Sequence, residues 1–272
     1  MDILEKISDR TRLRVQDSMS KKPLSVVKEE ALKLSENFDG NYVFENSLKK
    51  DGLSLICEVK KASPSKGIIS ENFPYKEIAK AYENGDADAI SCLTEPEFFL
   101  GSLSYLEDIK SLVKTPVLRK DFTVDEYMIY EAKSSGADAI LLIASILDEV
   151  ELKDYFQIAD GLGLSVLFEA HDEDEIQKVL KAGARIVGVN NRNLRDFSVN
   201  VNNSIRFRSL IPEDVVFVSE SGVKHIEDLF RLQREEVDAV LVGEALMRQS
   251  DPEETLRSWK RELAELRRAE IA

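Results

Sequence analysis

The chain has little of several things that would mark a chemical class at once. Two cysteines, Cys57 and Cys92, each sit inside a strand-like apolar run. They read as reduced, buried small hydrophobes, which excludes a disulfide-stapled domain and a thiolate zinc site. There is no His-x-x-x-His, no Asp-x-Asp-x-Asp and no cysteine cluster, so no metal site is expected. No Gly-x-Gly-x-x-Gly follows a strand, which removes the dinucleotide fingerprint. No apolar run approaches the roughly 20 residues that cross a bilayer. The opening Met1-Asp2-Ile3-Leu4-Glu5-Lys6 lacks the basic-then-apolar plan of a signal peptide. Basic residues are in deficit, 37 against 51 acidic, giving a net charge of −14 over 272 residues. That balance argues against nucleic acid or an anionic membrane as a partner. The expectation is a cytoplasmic protein.

What is present is organised around Leu53 to Gly67, LSLICEVKKASPSKG. Leu53, Leu55, Ile56 and Val59 give the apolar run of a strand buried on both faces, yet Glu58 and Lys60 stand at its downstream end. Strand side chains alternate, so the carboxylate and the ammonium share one face. Charges are almost never fully buried unless paired, which leaves a functional cluster and a structural ion pair as the two readings. Ser63-Pro64-Ser65-Lys66-Gly67 then offers hydroxyls, a cation and flexible backbone, a composition shared by anion loops and plain turns.

Helical spacing before this strand (Ile3, Ile7 and Leu13, then Val26, Val27, Ala31 and Leu32 after Pro23) predicts two helices in residues 1–47. After it, strands are expected at Ala89–Leu93, Val117–Lys120, Ala139–Ile143, Ser165–Glu169, Ile186–Asn190, Val215–Glu220 and Ala239–Val242, with helical patterns between them. A weak repeat supports the rhythm: Gly85-Asp86-Ala87-Asp88-Ala89-Ile90, Gly136-Ala137-Asp138-Ala139-Ile140, Gly183-Ala184-Arg185-Ile186-Val187 and Val237-Asp238-Ala239-Val240 each lead into a strand. In the first three a Gly ends the preceding helix. Strict βα alternation implies a parallel sheet with right-handed crossovers. Eight units close as a (β/α)8 TIM barrel, typically of about 250 residues. A doubly wound open sheet is the runner-up. No linker divides residues 1–272, so one barrel domain with an N-terminal helical extension is expected. The tail after Pro252 reads as a helix covering the barrel through Leu256, Trp259, Leu263 and Leu266.

The downstream strand ends carry Glu58 and Lys60, Lys120, Glu169, Asn190 and Glu220. In a barrel, alternate strands fill common layers and active sites lie at the C-terminal ends, so these residues can face one another. Ser221-Gly222 and Gly243 follow the seventh and eighth strands, whose loops commonly bind phosphate in this fold, through backbone N–H groups. Arg192 is a fork-shaped donor suited to a carboxylate. His171 and His225, beside Asp172 and Lys224 at helix starts, read as structural.

At this point the motifs resemble one family, indole-3-glycerol-phosphate synthase of tryptophan biosynthesis. They are Glu58-Val59-Lys60-Lys61-Ala62-Ser63-Pro64-Ser65-Lys66-Gly67; Leu93-Thr94-Glu95 with Phe99-Leu100-Gly101-Ser102; Leu118-Arg119-Lys120-Asp121-Phe122; Glu169-Ala170-His171; Val189-Asn190-Asn191-Arg192-Asn193-Leu194; Ser219-Glu220-Ser221-Gly222; and Gly243-Glu244-Ala245-Leu246-Met247. The resemblance covers essentially the whole chain. It implies closure of 1-(2-carboxyphenylamino)-1-deoxyribulose 5-phosphate to an indole, with loss of carbon dioxide and water and no redox or metal cofactor. It makes Lys120 the general acid and Glu169 the general base, with Lys60 at the substrate carboxylate or in dehydration. Glu58, Asn190 and Glu220 would position lysines and substrate. Ser63, Ser221, Gly222 and Gly243 would bind at the phosphate end, and Arg192 would hold the anthranilate carboxylate. Asn191 stands where Ser is frequent, and Glu244 where some members have Ser.

The partner implied is a small phosphorylated molecule, met by a monomer, with a homodimer as the alternative. Three other readings stay open: a Schiff-base aldolase using Lys120 or Lys60, a sister phosphoribosylanthranilate isomerase, and a non-catalytic phosphosugar-binding barrel. The N-terminal helices are expected to cover the barrel mouth.

Overall fold

The computed structural model describes residues 3–193 and 197–271; Met1, Asp2, the Leu194 of the Asn-Arg motif, Arg195, Asp196 and Ala272 lie outside the described residues. Eight parallel strands form a closed barrel in chain order: β1 (Ser54–Val59), β2 (Ala89–Leu93), β3 (Val117–Lys120), β4 (Ala139–Ile143), β5 (Ser165–Ala170), β6 (Ile186–Asn190), β7 (Val216–Glu220) and β8 (Ala239–Val242), with β8 pairing β1. Helices alternate with them, so the (β/α)8 barrel expected from the repeat is the fold. The open-sheet alternative is excluded by closure.

The repeat has a physical purpose. Asp88, Asp138 and Asp238 each turn a carboxylate back to the first turn of a neighbouring strand: Oδ2 accepts from the backbone N–H of Leu55 at 2.8 Å, Val117 at 2.7 Å and Phe217 at 2.7 Å. In these three copies the acidic residue before the strand therefore satisfies a donor that the ladder leaves open; the third copy carries Arg185 there instead, bonded to Glu45 and Asp160. The expected helix-ending glycine holds in the first three copies: Gly85 caps the helix Tyr75–Asn84, with Asp86 left-handed after it, while Gly136 and Gly183 directly follow the caps of their helices with positive φ.

Alternation along the strands sorts side chains into two shells. Ile56, Ala89, Leu118, Ala139, Leu141, Ile143, Leu167, Ile186, Val216, Val218, Ala239 and Leu241 fill the barrel interior, while Leu55, Cys57, Ile90, Val117, Ile140, Val166, Val187, Phe217 and Val240 pack outward under the helices. Burying a large aliphatic side chain contributes about 1.5–3 kcal/mol, so both shells are strongly held. Cys57 and Cys92 are free and buried, and desolvation pushes both thiols up, away from thiolate chemistry.

The N-terminal extension differs from expectation. Three helices precede β1: α1 (Ile3–Lys21), α2 (Leu24–Ser35) and α3 (Val43–Leu48). The third is too short for helical periodicity to reveal, yet its Phe44 and Leu48 are buried among the barrel-interior residues, and Glu45 N donates to Ser165 Oγ at the start of β5. It plugs the N-terminal end. α2 buries Val27 and Ala31 on the flank, against the helix Glu126–Ser134. Only α1 reaches the mouth, so the idea that the extension as a whole covers it is corrected to this one helix. The tail helix Pro252–Ile271 packs on the helices Tyr75–Asn84 and Ile226–Arg234 through Leu256, Trp259 and Leu263. Leu266 is half-buried.

Candidate active site

At the C-terminal ends of the strands lies a cavity of about 770 Å³. Its floor is the layer contributed by the odd strands: Glu58 from β1, Lys120 from β3, Glu169 from β5 and Glu220 from β7. These are the inward positions two residues after Ile56, Leu118, Leu167 and Val218, so the strand period that fills the core also delivers the charges. Three carboxylates share the layer with one ammonium. Lys120 Nζ is 2.8 Å from Glu169 Oε2 and 2.6 Å from Glu220 Oε2. Lys60, just past β1, hydrogen-bonds Glu58 Oε1. Asn190 Nδ2 donates to Glu169 Oε1 at 3.1 Å, so it orients the carboxylate rather than either lysine.

Burial opposes charge on Lys120, but Glu169, Glu220 and Glu58 outweigh it and raise the ammonium's pKa. Burial would likewise push Glu169 up; Lys120, His171 and the Asn190 hydrogen bond outweigh it and hold Glu169 down at about 2. For Glu220, burial together with the neighbouring Glu169 and Glu58 wins over Lys120 and raises the carboxyl to about 7. Glu220 Oε1 is buried and has no hydrogen-bond partner among the described residues. The layer thus holds one firmly ionised carboxylate and one that titrates near neutrality, on either side of a single cation. Environments that push two like groups apart are the pattern of acid and base work.

Two glycines make room for this layer. A Cβ on Gly188 of β6 would run into the Glu220 carboxylate, and a Cβ on Gly243 would lie 2.6 Å from Glu58 Oε1 and 3.1 Å from Lys60 Nζ. Gly243 therefore has a second reason to be glycine besides a turn. Gly188 went unnoticed in the sequence because it sits inside an otherwise ordinary strand.

The rest of the cavity divides by chemistry. On one side stand Ser63, Ser65 and Lys66, Ser221 and Gly222, Lys224, Gly243 and Arg248. Ser63 lies in a small hairpin, pairing Ala62–Ser63 with Gly67–Ile68. Ser221 and Gly222 both have positive φ, at 66° and 103°, an uncommon conformation for the serine. That turn is braced by Asn191, whose Nδ2 donates to Ser219 Oγ, Glu220 O and Ser221 O and whose Oδ1 accepts from Ser204. Asn191 is thus a structural buckle. Glu244 is paired with Arg248 at 3.0 Å and lies 3.7 Å from Lys66.

The other side is apolar, formed by Ile3, Leu4 and Ile7 of α1 with Phe99 and Phe122. This wall was not read from the sequence, because its members come from three distant segments. Glu95 shapes it by accepting the backbone N–H groups of Glu97, Phe98 and Phe99. Arg192 lies on the cavity, its N–H bonded to Asn190 Oδ1 and its Nη1 3.3 Å from Phe197 O.

Every residue singled out in the sequence for the site (Glu58, Lys60, Ser63, Lys120, Glu169, Asn190, Arg192, Glu220, Ser221, Gly222 and Gly243) lines this one cavity. Among the described residues no group of three or more His, Cys, Asp and Glu is placed to hold a metal ion, and no helix is long and apolar enough to cross a membrane. His225 also lines the cavity. His171 sits beside Glu169, a closeness the sequence did not signal.

Residues 4–259 match the family model for indole-3-glycerol phosphate synthase. A protein of that name from Ruminiclostridium cellulolyticum is 56% identical over 249 residues, 92% of this chain and 95% of its own length. Another, from Endomicrobium trichonymphae, is 53% identical, covering 95% of this chain and 99% of that one. Among solved structures, 3-hexulose-6-phosphate synthase from Salmonella typhimurium superposes with a TM-score of 0.63 at 15% identity, over 79% of this chain and all (100%) of that one, a likeness of fold alone. With the barrel, the charged layer and a match spanning nearly its whole length, the chain belongs to the indole-3-glycerol phosphate synthase family.

Proposed function

We propose that this protein closes 1-(2-carboxyphenylamino)-1-deoxyribulose 5-phosphate to indole-3-glycerol phosphate, a step of tryptophan biosynthesis, by general acid and base catalysis. The observation that carries the reading is one ammonium, Lys120, bonded to both Glu169 and Glu220 at the floor of a cavity with a polar, cationic side and an apolar side. A molecule with phosphate at one end and an aromatic acid at the other fits that division. Backbone N–H groups at Gly222 and Gly243, with the Ser63 and Ser221 hydroxyls, take the phosphate. Arg192 and Lys60 take the ring carboxylate, and the ring lies along Ile7, Phe99 and Phe122. Fixing both ends brings the ring carbon to the ketone, where effective molarity supplies several kcal/mol.

As the ring carbon bonds to the carbonyl carbon, the carbonyl oxygen takes up the electron pair and receives the Lys120 proton. Carbon dioxide then leaves, and its bonding electrons restore the aromatic ring. The new hydroxyl departs as water with a proton from the lysine side of the site, while Glu169 takes the proton from the methylene carbon beside nitrogen to complete the indole. Glu220, sharing the cation and titrating near neutrality, loosens or tightens Lys120's hold on its proton. Each transfer is worth ~10² to 10⁴ in rate. The same reading places a monomer in the cytoplasm.

The test is to mix the protein with the carboxyphenylamino-deoxyribulose phosphate in EDTA-containing buffer without nicotinamide. Growth of indole absorbance and fluorescence is expected. Binding of the compound with no indole formed would instead mark a phosphosugar-binding barrel.

A further inference from the structure

His171 follows β5 directly, two residues beyond Glu169, and it does not line the cavity. Its ring is clamped from behind: Nδ1 is 3.0 Å from Glu175 Oε2, and the same carboxylate oxygen accepts His171's backbone N–H at 2.8 Å. Glu175 is itself fixed at the start of the helix Glu173–Lys181, its N–H donating to the Asp172 side chain at 2.9 Å. On the other side, His171 Nε2 is buried, has no hydrogen-bond partner among the described residues, and stands 3.5 Å from Glu169 Oε1. A carboxylate therefore faces each ring nitrogen. With Nδ1–H given to Glu175, a neutral ring would aim a lone pair at the Glu169 carboxylate; only the imidazolium presents a donor to both.

We propose that the Glu175–His171 couple is the second cationic support of Glu169, opposite Lys120, and that His171 is a positioning residue that keeps this base ionised and aimed at the substrate. The inference rests on the proposed role of Glu169. Asn190 holds the same oxygen of Glu169 from β6, so His171 and Asn190 together fix its plane while Lys120 holds the other oxygen. The groups facing the imidazole are Glu169 beneath it, Glu175 behind it and Glu220 from β7. Burial disfavours the imidazolium, but these three carboxylates outweigh it, and the net shift is upward from 6.5. As pH rises through that raised value, Glu169 loses one of its two cations and its alignment, so kcat declines on the alkaline side while substrate binding, made elsewhere in the cavity, is preserved.

The chain has two histidines, so their imidazole proton signals are separable by NMR, with His225→Gln to assign them. His171 in the resting protein should titrate above 6.5. Glu175→Gln, which keeps the backbone cap but removes the charge, should lower that value by on the order of one unit. The same variant should move the alkaline limb of the kcat profile down in step, with KM unchanged. His171→Ala should lose about tenfold in kcat, the order of a charge-assisted contact, and should lose the limb. A His171 signal titrating at or below 6.5, or a Glu175→Gln profile identical to the parent's, overturns the proposal. If the unaltered protein makes no indole, the synthase reading fails, while the titration of the resting protein still decides the pairing.

Discussion

Lys120 and its two chain neighbours carry the same kinds of charge one residue apart, yet they belong to different worlds. Lys120 points into the barrel; Arg119 and Asp121 are partnered outside the charged layer. In the second group the polar atoms answer one another: Asp121 accepts from Arg14 Nη2 at 2.7 Å, Thr94 Oγ1 at 2.6 Å and Phe122 N at 2.8 Å. Arg119 gives to Thr94 Oγ1, Met128 O and Glu131 Oε2. Burial alone would raise the Asp121 carboxyl, but Arg14 and Arg119 hold it below its ordinary 3.8. This cluster fastens α1 and the β2 loop to the end of β3. The layer around Lys120 has an excess of carboxylates, and among the described residues Glu220 Oε1 and the nearby His171 Nε2 are without a hydrogen-bond partner. Saturated polar clusters fix structure, whereas clusters with unspent donors and acceptors are prepared for another molecule.

The contrast can be broken by substitution. Asp121→Ala takes a fully buried carboxylate away from the partly buried Arg14, while Arg119 keeps Glu131, and should cost about 3 kcal/mol of stability, the low end of the penalty for removing one partner from a buried ion pair, measured by urea unfolding. Its folded fraction should lose far less kcat than the next variant. Lys120→Met should lose at least roughly a hundredfold in kcat, equivalent to about 2.7 kcal/mol of transition-state stabilisation, with substrate binding retained at the phosphate end. Parent-like turnover would remove Lys120 from the acid role.

The two clusters should also respond oppositely to pH, a smaller effect. Glu220 has its folded pKa raised to about 7 from 4.5, so the native state keeps a proton that the unfolded chain releases. Stability associated with it is full below 4.5 and is lost as pH rises to about 7. Asp121 is depressed, so its contribution is present above 3.8 and is lost as pH falls further. Urea midpoints across pH 4.5 to 7 should fall less steeply with rising pH in Glu220→Gln than in the parent; equal slopes would contradict the assignment.

Much of this was legible in the chain because a strand's period of two is unforgiving. At the inward-facing positions of the odd strands, charged residues appear only at the downstream end, as Glu58, Lys120, Glu169 and Glu220, and four strands doing so predicts a shared layer. What the sequence concealed depends on curvature and distance. α3 is a six-residue helix whose meaning is the barrel end it fills. Gly188 matters because Glu220, from the next strand, crosses its face. His171 reads as a helix-start residue until the turn after β5 brings it back over Glu169. The apolar wall needs α1 folded over the mouth before Ile7 and Phe122 meet the same cavity.

The claim on which all of this depends is that the charged layer moves protons rather than merely holding a ligand. Glu169→Gln keeps the side chain's size and an oxygen for Lys120 while removing its capacity to take a proton. Steady-state kinetics with the carboxyphenylamino-deoxyribulose phosphate should show kcat reduced by ~10² or more with KM little changed. A variant that turns over like the parent, or whose deficit lies entirely in KM, would contradict the account.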